Sequence, residues 1–513
     1  MITEVYTMRK INKFISILLL AAMLASLAAC GGTSEDTQAV GESTDAAETL
    51  PAVDEYGREV LAHSVPDDLD FGGQEIVCGV RDTIGASIDF AVDEQNGEIV
   101  NDAVFRRNSQ VEDELNVRFS LLKIESTNTS TSESVGDMLR TNVMAGDNTM
   151  DICGVYQIYG ASLAGEGFLY NLNDLQHTDF EKPWWNQTFY NELNYKGQLY
   201  YAVGAMNLSV TSSLFGVFFN QAKVTDYRGG YDFLYELVYD GKWTLDKFTE
   251  LVKDNYQDLN GNNEQDEEDF YGMMVKEDDQ GPWTQALDIR LVTKDSNGIP
   301  QLSYMSEKTV NAYEKLFALY RKTNGIYFGP KTFDWCTAFA DGQSMYATIH
   351  LGAAETHLRD MDDGYGILPM PKYDEAQATY YNTARDSSNL TCVATNTENP
   401  EAVGAALELL NYYSYQWVTP AYFEVAMKAK YLADSDSANM FDIIVDNVVV
   451  DFGVINSLAI SGGSYSMDGI FAGQFRNLIR LDNENVASNY AAFEPVYKEG
   501  LAGILAKYDK LAK

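Results

Sequence analysis

The chain has 513 residues, and 36 Lys and Arg stand against 76 Asp and Glu, which gives a formal net charge of −40. Hydrophobic residues make up 45% of the sequence and aromatic residues 12%, so the chain can build large buried cores and is not disordered throughout. The acidity argues against binding to nucleic acid or to an anionic membrane surface, and it leaves calcium sites, cationic partners or a solubilising surface as explanations. The length predicts two to four domains or one large two-lobed unit.

The N-terminus has the pattern of an export signal. Arg9, Lys10 and Lys13 precede an apolar run over residues 14–25, and small residues follow that run. A run of about a dozen residues is too short to cross the ~30 Å hydrocarbon core of a bilayer. Residues 1–29 are therefore predicted to be a signal peptide.

A cysteine stands at the end of this signal. The residues Leu27-Ala28-Ala29-Cys30 resemble the lipobox of bacterial lipoproteins, in which the cysteine thiol is diacylated and becomes the first residue of the mature protein. The resemblance implies lipid attachment at Cys30. Residues 31–65 are rich in Ser, Thr, Gly and acids without a sustained apolar period, which predicts a flexible tether. The other cysteines are far apart and lack a CxxC motif, so we expect buried free thiols at Cys78, Cys153, Cys336 and Cys392.

Strand-like and helical patterns alternate from about residue 69. Strands are predicted over 74–80, 116–124 and 150–155, with helices over 97–115 and 132–145 between them. This alternation is typical of an α/β fold with a parallel sheet. The later part of the chain continues in the same way, with helices predicted over 245–256, 310–322 and 401–413 and strands over 343–349 and 390–394.

Several phrases of the sequence, taken in their order along the chain, resemble one protein family. They are PDDLDFGG at 66–73, VNDAV and RRN within 100–108, KPWWN at 182–186 and GILPMPKYD at 366–374. Together with the lipobox and tether, they resemble the extracellular solute-binding proteins of ABC importers in Gram-positive bacteria, in a sugar-binding, family 1-like group of clostridial type. The resemblance implies an α/β, two-lobed periplasmic-binding-protein-like fold with a hinge and an interlobe cleft.

The resemblance also implies that the chain crosses between the lobes more than once. We expect lobe one to comprise residues 66–205 and about 335–385, and lobe two to comprise residues 206–334 and about 386–513. Open α/β sheets bind ligands at the carboxyl ends of their strands, so the site is expected where the two lobes face each other.

An acidic loop over residues 258–269 is a candidate calcium site. Oxygen-bearing side chains stand at its positions 1, 3, 5, 9, 10 and 12, a spacing that gathers the hard oxygen ligands preferred by Ca²⁺. The loop departs from an EF-hand at position 6, which is Asn263, although Asn tolerates a positive φ. Similar loops in the sugar-binding family hold a structural calcium, and the alternative is a solvated acidic turn. The implied ligands are Asp258, Asn260, Asn262, Glu264 through its main chain, Asp266 and Glu267, with Asp269 as an alternative carboxylate.

A sugar site needs aromatic rings and polar groups in one cleft. The candidate rings are Trp184, Trp185, Trp283 and Trp335, although packing inside a lobe is the alternative for each of them. Neighbouring residues of an extended segment point in opposite directions, so one ring of the Trp184–Trp185 pair is expected to face the cleft. Trp243 and Trp417 are expected in the core, and three Tyr pairs are further candidates. The polar candidates, at or just beyond predicted strand ends, are Arg81, Asp82, Asp334 and Arg385.

Two functions remain open at this point. The first is a monomeric, non-catalytic lipoprotein, anchored at the extracellular face of the cell membrane, that closes its lobes on a carbohydrate and delivers it to an ABC permease. The second is an exported enzyme, for example a glycoside hydrolase with paired carboxylates. The sequence has no GxSxG, HExxH, P-loop or GxGxxG motif, which favours binding over catalysis. Peptides and other solutes remain alternatives to a sugar as the ligand.

Overall fold

The computed structural model describes residues 61–127, 133–277, 281–423, 435–463 and 471–512. The chain divides into two compact units, Met1–Leu61 and Ala62–Lys513, and the described helices and strands all lie in the second. The predicted signal peptide, Cys30 and most of the predicted tether lie outside the described residues. None of the described helices combines the length and the apolar character needed to cross a membrane.

The strands fall into two main sheets and one hairpin. In chain order they are β1 (Gln74–Arg81), β2 (Val117–Ile124), β3 (Ile152–Tyr156), β4 (Phe215–Asn220), β5 (Tyr256–Gln257), β6 (Phe270–Lys276), β7 (Val292–Lys294), β8 (Pro300–Leu302), β9 (Ile326–Gly329), β10 (Ser344–His350), β11 (Tyr365–Leu368) and β12 (Asn389–Val393).

Helices connect and cover these strands. They are α1 (Ile84–Ser87), α2 (Ile99–Leu115), α3 (Ser134–Ala145), α4 (Gln157–Glu166), α5 (Gln187–Leu193), α6 (Leu208–Ser212), α7 (Gln221–Arg228), α8 (Asp232–Tyr239), α9 (Leu245–Val252), α10 (Trp283–Ala286), α11 (Glu307–Phe317), α12 (Trp335–Ala340), α13 (Ala353–Thr356), α14 (Pro400–Tyr413), α15 (Ser435–Asp446), α16 (Phe452–Ile455), α17 (Ser457–Ile460), α18 (Gln474–Arg480) and α19 (Val486–Leu511). The π-helical stretches Ala318–Lys322 and Ser414–Val418 continue α11 and α14. Short 3-10 helices lie at Leu172–Asp174 and Phe471–Gly473.

The first sheet has the strand order β12-β3-β1-β2 and forms the centre of the first lobe. Strand β1 is parallel to β2 and β3, whereas β12 is antiparallel to β3. This arrangement confirms the parallel α/β sheet that the alternating pattern predicts. All of β12 and all of β3 except Tyr156 are buried, so both strands are covered on their two faces, as strands between layers of helices are.

The second sheet has the order β11-β4-β10-β6-β5, with β9 beside β6, and forms the centre of the second lobe. Strands β9, β6 and β10 are parallel, while β4 is antiparallel to β10 and β11. Every residue of β4 is buried. Strands β7 and β8 form a separate antiparallel hairpin.

The assignment of the late segments to lobes differs from the expectation. We expected 335–385 in lobe one and 386–513 in lobe two, yet β10 and β11 belong to the second sheet and β12 to the first. Helix α14 packs against α2 of the first lobe. An apolar pattern specifies that a strand is buried but not which sheet it joins, because pairing is a non-local choice.

The corrected topology defines two crossover segments, residues 207–214 and 381–388, which carry the chain from the first lobe to the second and back. The two segments lie side by side, since Leu214 and Ala384 form an antiparallel bridge. The C-terminal helices α16, α17 and α19 pack against α4 of the first lobe. Asp451, just before α16, accepts hydrogen bonds from the main-chain nitrogens of Leu291 and Val292 and so ties these helices to the β7–β8 hairpin.

The four cysteines in the described residues are all buried, and none of them forms a disulfide there, as expected. Cys153 and Cys392 stand opposite each other on β3 and β12. Burial raises the pKa of the Cys78 thiol above its ordinary value, so this group stays protonated and behaves as a small apolar side chain.

Candidate ligand-binding site

A cleft of about 240 Å³ opens where the carboxyl ends of β3 and β6 face the second crossover segment. This is the position at which open α/β sheets bind ligands. Its lining combines aromatic, charged and amide side chains from both lobes and from the C-terminal helices. The residues that supply these groups are Tyr156, Phe215, Lys276, Gln285, Arg385, Asp386 and Arg476.

Tyr156 is the last residue of β3 and lines the cleft from the first lobe. Behind it, the Arg81 guanidinium at the end of β1 lies 4.6 Å from the centre of the Tyr156 ring. Burial raises the pKa of Tyr156 to about 12, and Asp386 adds to this effect. The phenol is therefore protonated at neutral pH and can donate a hydrogen bond to a ligand.

Arg81 is itself buried, so it supports the cleft instead of lining it. Its Nη2 donates to the main-chain oxygen of Ser387 at 2.6 Å and to Oδ1 of Asn389 at 2.7 Å. The predicted residue Arg81 therefore does not line the cleft, but its hydrogen bond to Ser387 holds the crossover segment that carries Arg385. Arg385 lines the cleft.

Asp89 holds both crossover segments against the first sheet. Its carboxylate accepts hydrogen bonds from the main-chain nitrogen of Ser209 at 2.8 Å, from the Ser209 hydroxyl and from Nδ2 of Asn389 at 2.9 Å. Ser209 lies in the first crossover segment, and Asn389 follows the second. Burial raises the pKa of Asp89 to about 6, although the hydrogen bonds from Ser209 and Asn389 favour its charged form.

On the second lobe, Lys276 ends β6 and lines the cleft. Its Nζ lies 4.4 Å from the centre of the Trp335 ring, and the Trp335 indole donates to the main-chain oxygen of Thr348 at 3.1 Å. Trp335 is almost fully buried, so it positions Lys276 and presents little ring surface to a ligand. Asp334 caps α12 by accepting from the main-chain nitrogen of Thr337 at 3.2 Å.

His350 ends β10 and pairs with Phe215, which lines the cleft. Burial lowers the pKa of His350 to about 4, and the positive charge of Arg385 adds to this effect. The imidazole is therefore neutral at physiological pH and can both donate and accept a hydrogen bond.

The structure does not bring Trp184 and Trp185 to the cleft, which corrects the expectation that one ring faces it. Both side chains are buried in the first lobe, and their indole nitrogens donate to the carboxylate of Glu408 on α14, at 3.0 and 2.9 Å. The segment turns here, because the main-chain nitrogen of Trp185 donates to the oxygen of Lys182. A turn removes the alternation of an extended strand, so both rings point to the same side.

The predicted residues Trp335 and Asp334 also lie outside the cleft lining, as do Trp283 and Asp82. Trp283 is fully buried in the second lobe, where its indole donates to the Tyr320 hydroxyl at 2.6 Å. Asp82 is exposed at the end of β1, and its main-chain nitrogen donates to the oxygen of Ile124. Trp243, expected in the core, is fully buried and donates to the oxygen of Pro369.

Three of the cleft residues that the sequence did not single out also stand at strand ends. Tyr156 ends β3 and Lys276 ends β6, so the reasoning that selected Arg81 applies to them as well. Phe215 begins the antiparallel strand β4 and therefore reaches the same edge of the sheet. Gln285 and Arg476 lie on helices, and no sequence pattern marks them.

The acidic loop is closed by its own hydrogen bonds. Asp258 accepts from the main-chain nitrogens of Gly261 and Asn263, and Asp266 accepts from the side chains of Asn260 and Asn262 at 2.6–3.2 Å. Asn263 has a φ of 59°, the positive value that its position in the loop requires.

Asp269, the alternative carboxylate, is buried at the base of this loop. It accepts from the main-chain nitrogen of Leu259 and from the Tyr256 hydroxyl, each at 3.0 Å. Within the part of the chain that the structure describes, no group of three or more His, Cys, Asp or Glu side chains is arranged to hold a metal ion. The loop also offers amide and main-chain oxygens.

The chain shares the arrangement of two sheets, crossover segments and a cleft with solved structures of solute-binding proteins. A cyclo/maltodextrin-binding protein complexed with maltotetraose shares this fold at 12% identity and a TM-score of 0.54, over 83% of this chain and 97% of that one. The galacto-N-biose-/lacto-N-biose I-binding protein of the ABC transporter from Bifidobacterium longum, in complex with lacto-N-biose, is 12% identical, with a TM-score of 0.52 over 84% and 98% of the two chains.

A third structure with this fold is UgpB from Mycobacterium tuberculosis in complex with glycerophosphocholine. It is 13% identical, with a TM-score of 0.52, over 85% of this chain and 99% of that one. These likenesses confirm the predicted two-lobed fold. Comparison with known protein families and with curated proteins found no match.

Proposed function

We propose that this protein is the substrate-binding lipoprotein of an ABC transporter, which captures a carbohydrate or oligosaccharide outside the cell and delivers it to a membrane permease. The observation that carries the proposal is the cleft between the strand ends of two lobes, lined by Tyr156, Arg385, Asp386 and Lys276. Such a lining offers donors, acceptors and an aromatic face, which suit a ring that carries hydroxyl groups. The solved structures with the same fold are binding proteins, two of them in complex with saccharides.

Lobe closure is the proposed mechanism of capture. The paired crossover segments at Leu214 and Ala384 are two places where the chain passes between lobes, and a rotation about them opens or closes the cleft. A ligand that contacts both walls binds the closed form more tightly and shifts the population toward it. Lipidation of Cys30 then keeps the protein at the extracellular face of the membrane, close to the permease, as a monomer.

The lining of the cleft favours binding over glycoside hydrolysis. Hydrolysis of a glycosidic bond ordinarily uses two carboxylates on either side of that bond. Among the described residues that line the cleft, Asp386 is the single carboxylate. We therefore infer that the ligand leaves the cleft chemically unchanged.

A thermal-shift experiment tests this function. The purified protein is titrated with maltotetraose, lacto-N-biose, D-tagatose and glycerophosphocholine, and each ligand is afterwards analysed by chromatography. A saturating saccharide at about 100 times its Kd should stabilise the fold by about 2.7 kcal/mol. Formation of a hydrolysis product would show an enzyme, and stabilisation by glycerophosphocholine alone would contradict a saccharide ligand.

A pair of Lys variants gives this titration a matched control. Lys276→Ala removes a cation from the cleft and should weaken the response to the saccharide. Lys242→Ala removes a half-exposed cation that pairs with Asp240 at 3.0 Å in the second lobe, away from the cleft lining. The response of this control should equal that of the unmodified protein.

We also propose that the acidic loop binds a structural Ca²⁺ through Asp258, Asn260, Asn262, the main chain of Glu264, Asp266 and Glu267. The contacts of Asp266 with Asn260 and Asn262 support the proposal, because they show that these side chains converge. Hydrogen bonds already close this acidic loop, and a bound Ca²⁺ would add a positive charge to it. The ion would thereby stabilise the connection between β5 and β6.

Chelation tests the calcium proposal. EGTA should lower the melting temperature of the native protein by several degrees, because an ion that binds only the folded state stabilises it. Asp258→Ala should melt at the temperature of the chelated protein and show no response to EGTA. Asp226→Ala, at an exposed position on α7, should keep the full response. A native protein that is insensitive to EGTA would show that the loop is held by hydrogen bonds alone.

A further inference from the structure

A buried polar network joins the aromatic wall of the cleft to both crossover segments. Arg81 lies against the ring of Tyr156 and donates to Ser387 and Asn389. Asn389 in turn donates through Nδ2 to Asp89. The chain of contacts ends at Ser209, which donates to Asp89 through its main-chain nitrogen and its hydroxyl.

The members of this network are more deeply buried than polar groups usually are. Asp89 and Asn389 have no exposed surface, and Arg81 is 7% exposed. The Nε of Arg81 is buried without a hydrogen-bond partner among the described residues. A buried donor without a partner costs stability, so the contribution of Arg81 to packing alone does not account for its presence.

The contacts of Tyr156 indicate that Arg81 holds its ring in place. The guanidinium covers one face of the phenol ring, and Tyr159 meets the ring edge-on with centroids 5.5 Å apart. The ring is thus held on one face and at one edge, while Tyr156 still lines the cleft. A ring held in this way can stack against the apolar face of a sugar at a small cost in conformational entropy.

We propose that Tyr156 is the stacking platform for the ligand and that Arg81 is a positioning residue, which fixes this platform relative to the two crossover segments through Asn389, Asp89 and Ser209. Movement of the crossover segments during lobe closure then acts on the platform through hydrogen bonds 2.6–2.9 Å long. The ligand class that fits is a pyranoside with one apolar face. This inference rests on the proposed function, since it assigns roles within the same cleft.

The network also distinguishes Arg81 from a residue that contacts the ligand. Arg81 is absent from the residues that line the cleft, and both of its hydrogen bonds go to the end of the second crossover segment and the start of β12. Its effect on affinity must therefore pass through the groups that it contacts, and of these Tyr156 is the one that lines the cleft. This dependence is measurable, because two residues that act through one contact show non-additive effects.

A double-mutant cycle tests the proposal, with affinities for maltotetraose and lacto-N-biose measured by calorimetry well below the melting temperature. Tyr156→Leu should raise Kd about 10-fold and Tyr156→Phe by less than about 3-fold, since the ring is retained. Arg81→Met should raise Kd about 3- to 10-fold, and Arg81→Lys, which keeps the charge, should recover part of the loss. The double variant Arg81→Met/Tyr156→Leu should bind as tightly as Tyr156→Leu alone, within about 2-fold.

The control is Tyr239→Leu, which removes an exposed ring from α8 in the second lobe and should leave Kd unchanged. Additive effects of Arg81→Met and Tyr156→Leu would overturn the positioning role, and an unchanged Kd for Tyr156→Leu would overturn the platform. In both cases saccharide binding itself survives, so the proposed function stands. Absence of binding by the unmodified protein to either saccharide would contradict the proposed function and this inference together.

Discussion

Glu408 shows how one buried charge can decide the position of two aromatic rings. Its carboxylate has no exposed surface and accepts both indole N–H groups of the Trp184–Trp185 pair, together with the main-chain nitrogen of Asp179 at 3.1 Å. A buried carboxylate needs such donors, and the two indoles need acceptors. The two Trp residues therefore serve the core of the first lobe, although their sequence context resembles that of a binding site.

Burial raises the pKa of Glu408 to about 7, although the hydrogen bonds from Trp185, Asp179 and Trp184 favour its charged form. Between about pH 4.5 and pH 7, the folded protein keeps a proton on this group that the unfolded chain releases. The contribution of Glu408 to stability is therefore fully present below about pH 4.5 and is lost as the pH rises through about 7.

Glu408→Gln tests this account, because the amide stays neutral at every pH. The variant should start less stable than the native protein at pH 5, since a Gln oxygen can accept from only one of the two indoles. The difference should shrink by about 2 kcal/mol as the pH rises to 8. Urea unfolding at four pH values measures this trend, with the exposed Glu398→Gln as the control. A difference that stays constant with pH would show that the native Glu408 does not titrate in this range.

At the scale of elements, the predicted helices and strands agree with the structure where burial and local chemistry define them. Helix α14 begins at Pro400 after Asn399, whose side chain accepts from the nitrogen of Ala402, a helix start that the sequence encodes directly. The helix predicted over 245–256 ends earlier, at Val252. Asp254 has a φ of 61° and Tyr256 pairs with β6, so the pairing of a sheet overrides the helical pattern here.

Helix α19 packs on α17 and contains two glycines with opposite environments. A Cβ at Gly500 would lie 2.3 Å from the main-chain oxygen of Ile460, whereas a Cβ at Gly503 would meet nothing within 4 Å. The two positions lie in the same helix and differ only in what faces them. Close backbone contact, and not helix propensity, therefore explains Gly500.

Alanine substitutions separate these two roles of glycine. Gly500→Ala should destabilise the protein by about 1–3 kcal/mol, because the backbone of α17 cannot yield as a side chain would. Gly503→Ala should stabilise it by about 0.5–1 kcal/mol, because Ala loses less entropy than Gly in a helix. Chemical denaturation of the two variants measures both effects, and equal changes of the same sign would refute the close-contact explanation.

At the scale of the whole molecule, the cleft is assembled from residues that are far apart in the sequence. Tyr156, Lys276 and Arg385 belong to three different elements, and they meet because β3, β6 and the second crossover segment end at one place. The local sequence pattern predicted Arg385, which lines the cleft, and Arg81, which lies behind Tyr156, because both stand beside strand ends. It could not select Gln285 or Arg476, because only the packing of the C-terminal helices and of α10 brings them to the cleft.

The sequence by itself determined the excess of acid, the signal-like N-terminus with Cys30, the elements of the first sheet and the acidic loop. Each of these depends on composition, on local periodicity or on short spacing, and none requires knowledge of distant contacts. Only the tertiary structure decided that β10 and β11 join the second sheet, that β12 returns to the first, and that Tyr156 stands in the cleft where a Trp was expected. Strand partners and cleft linings are set by long-range packing, which a local pattern does not specify.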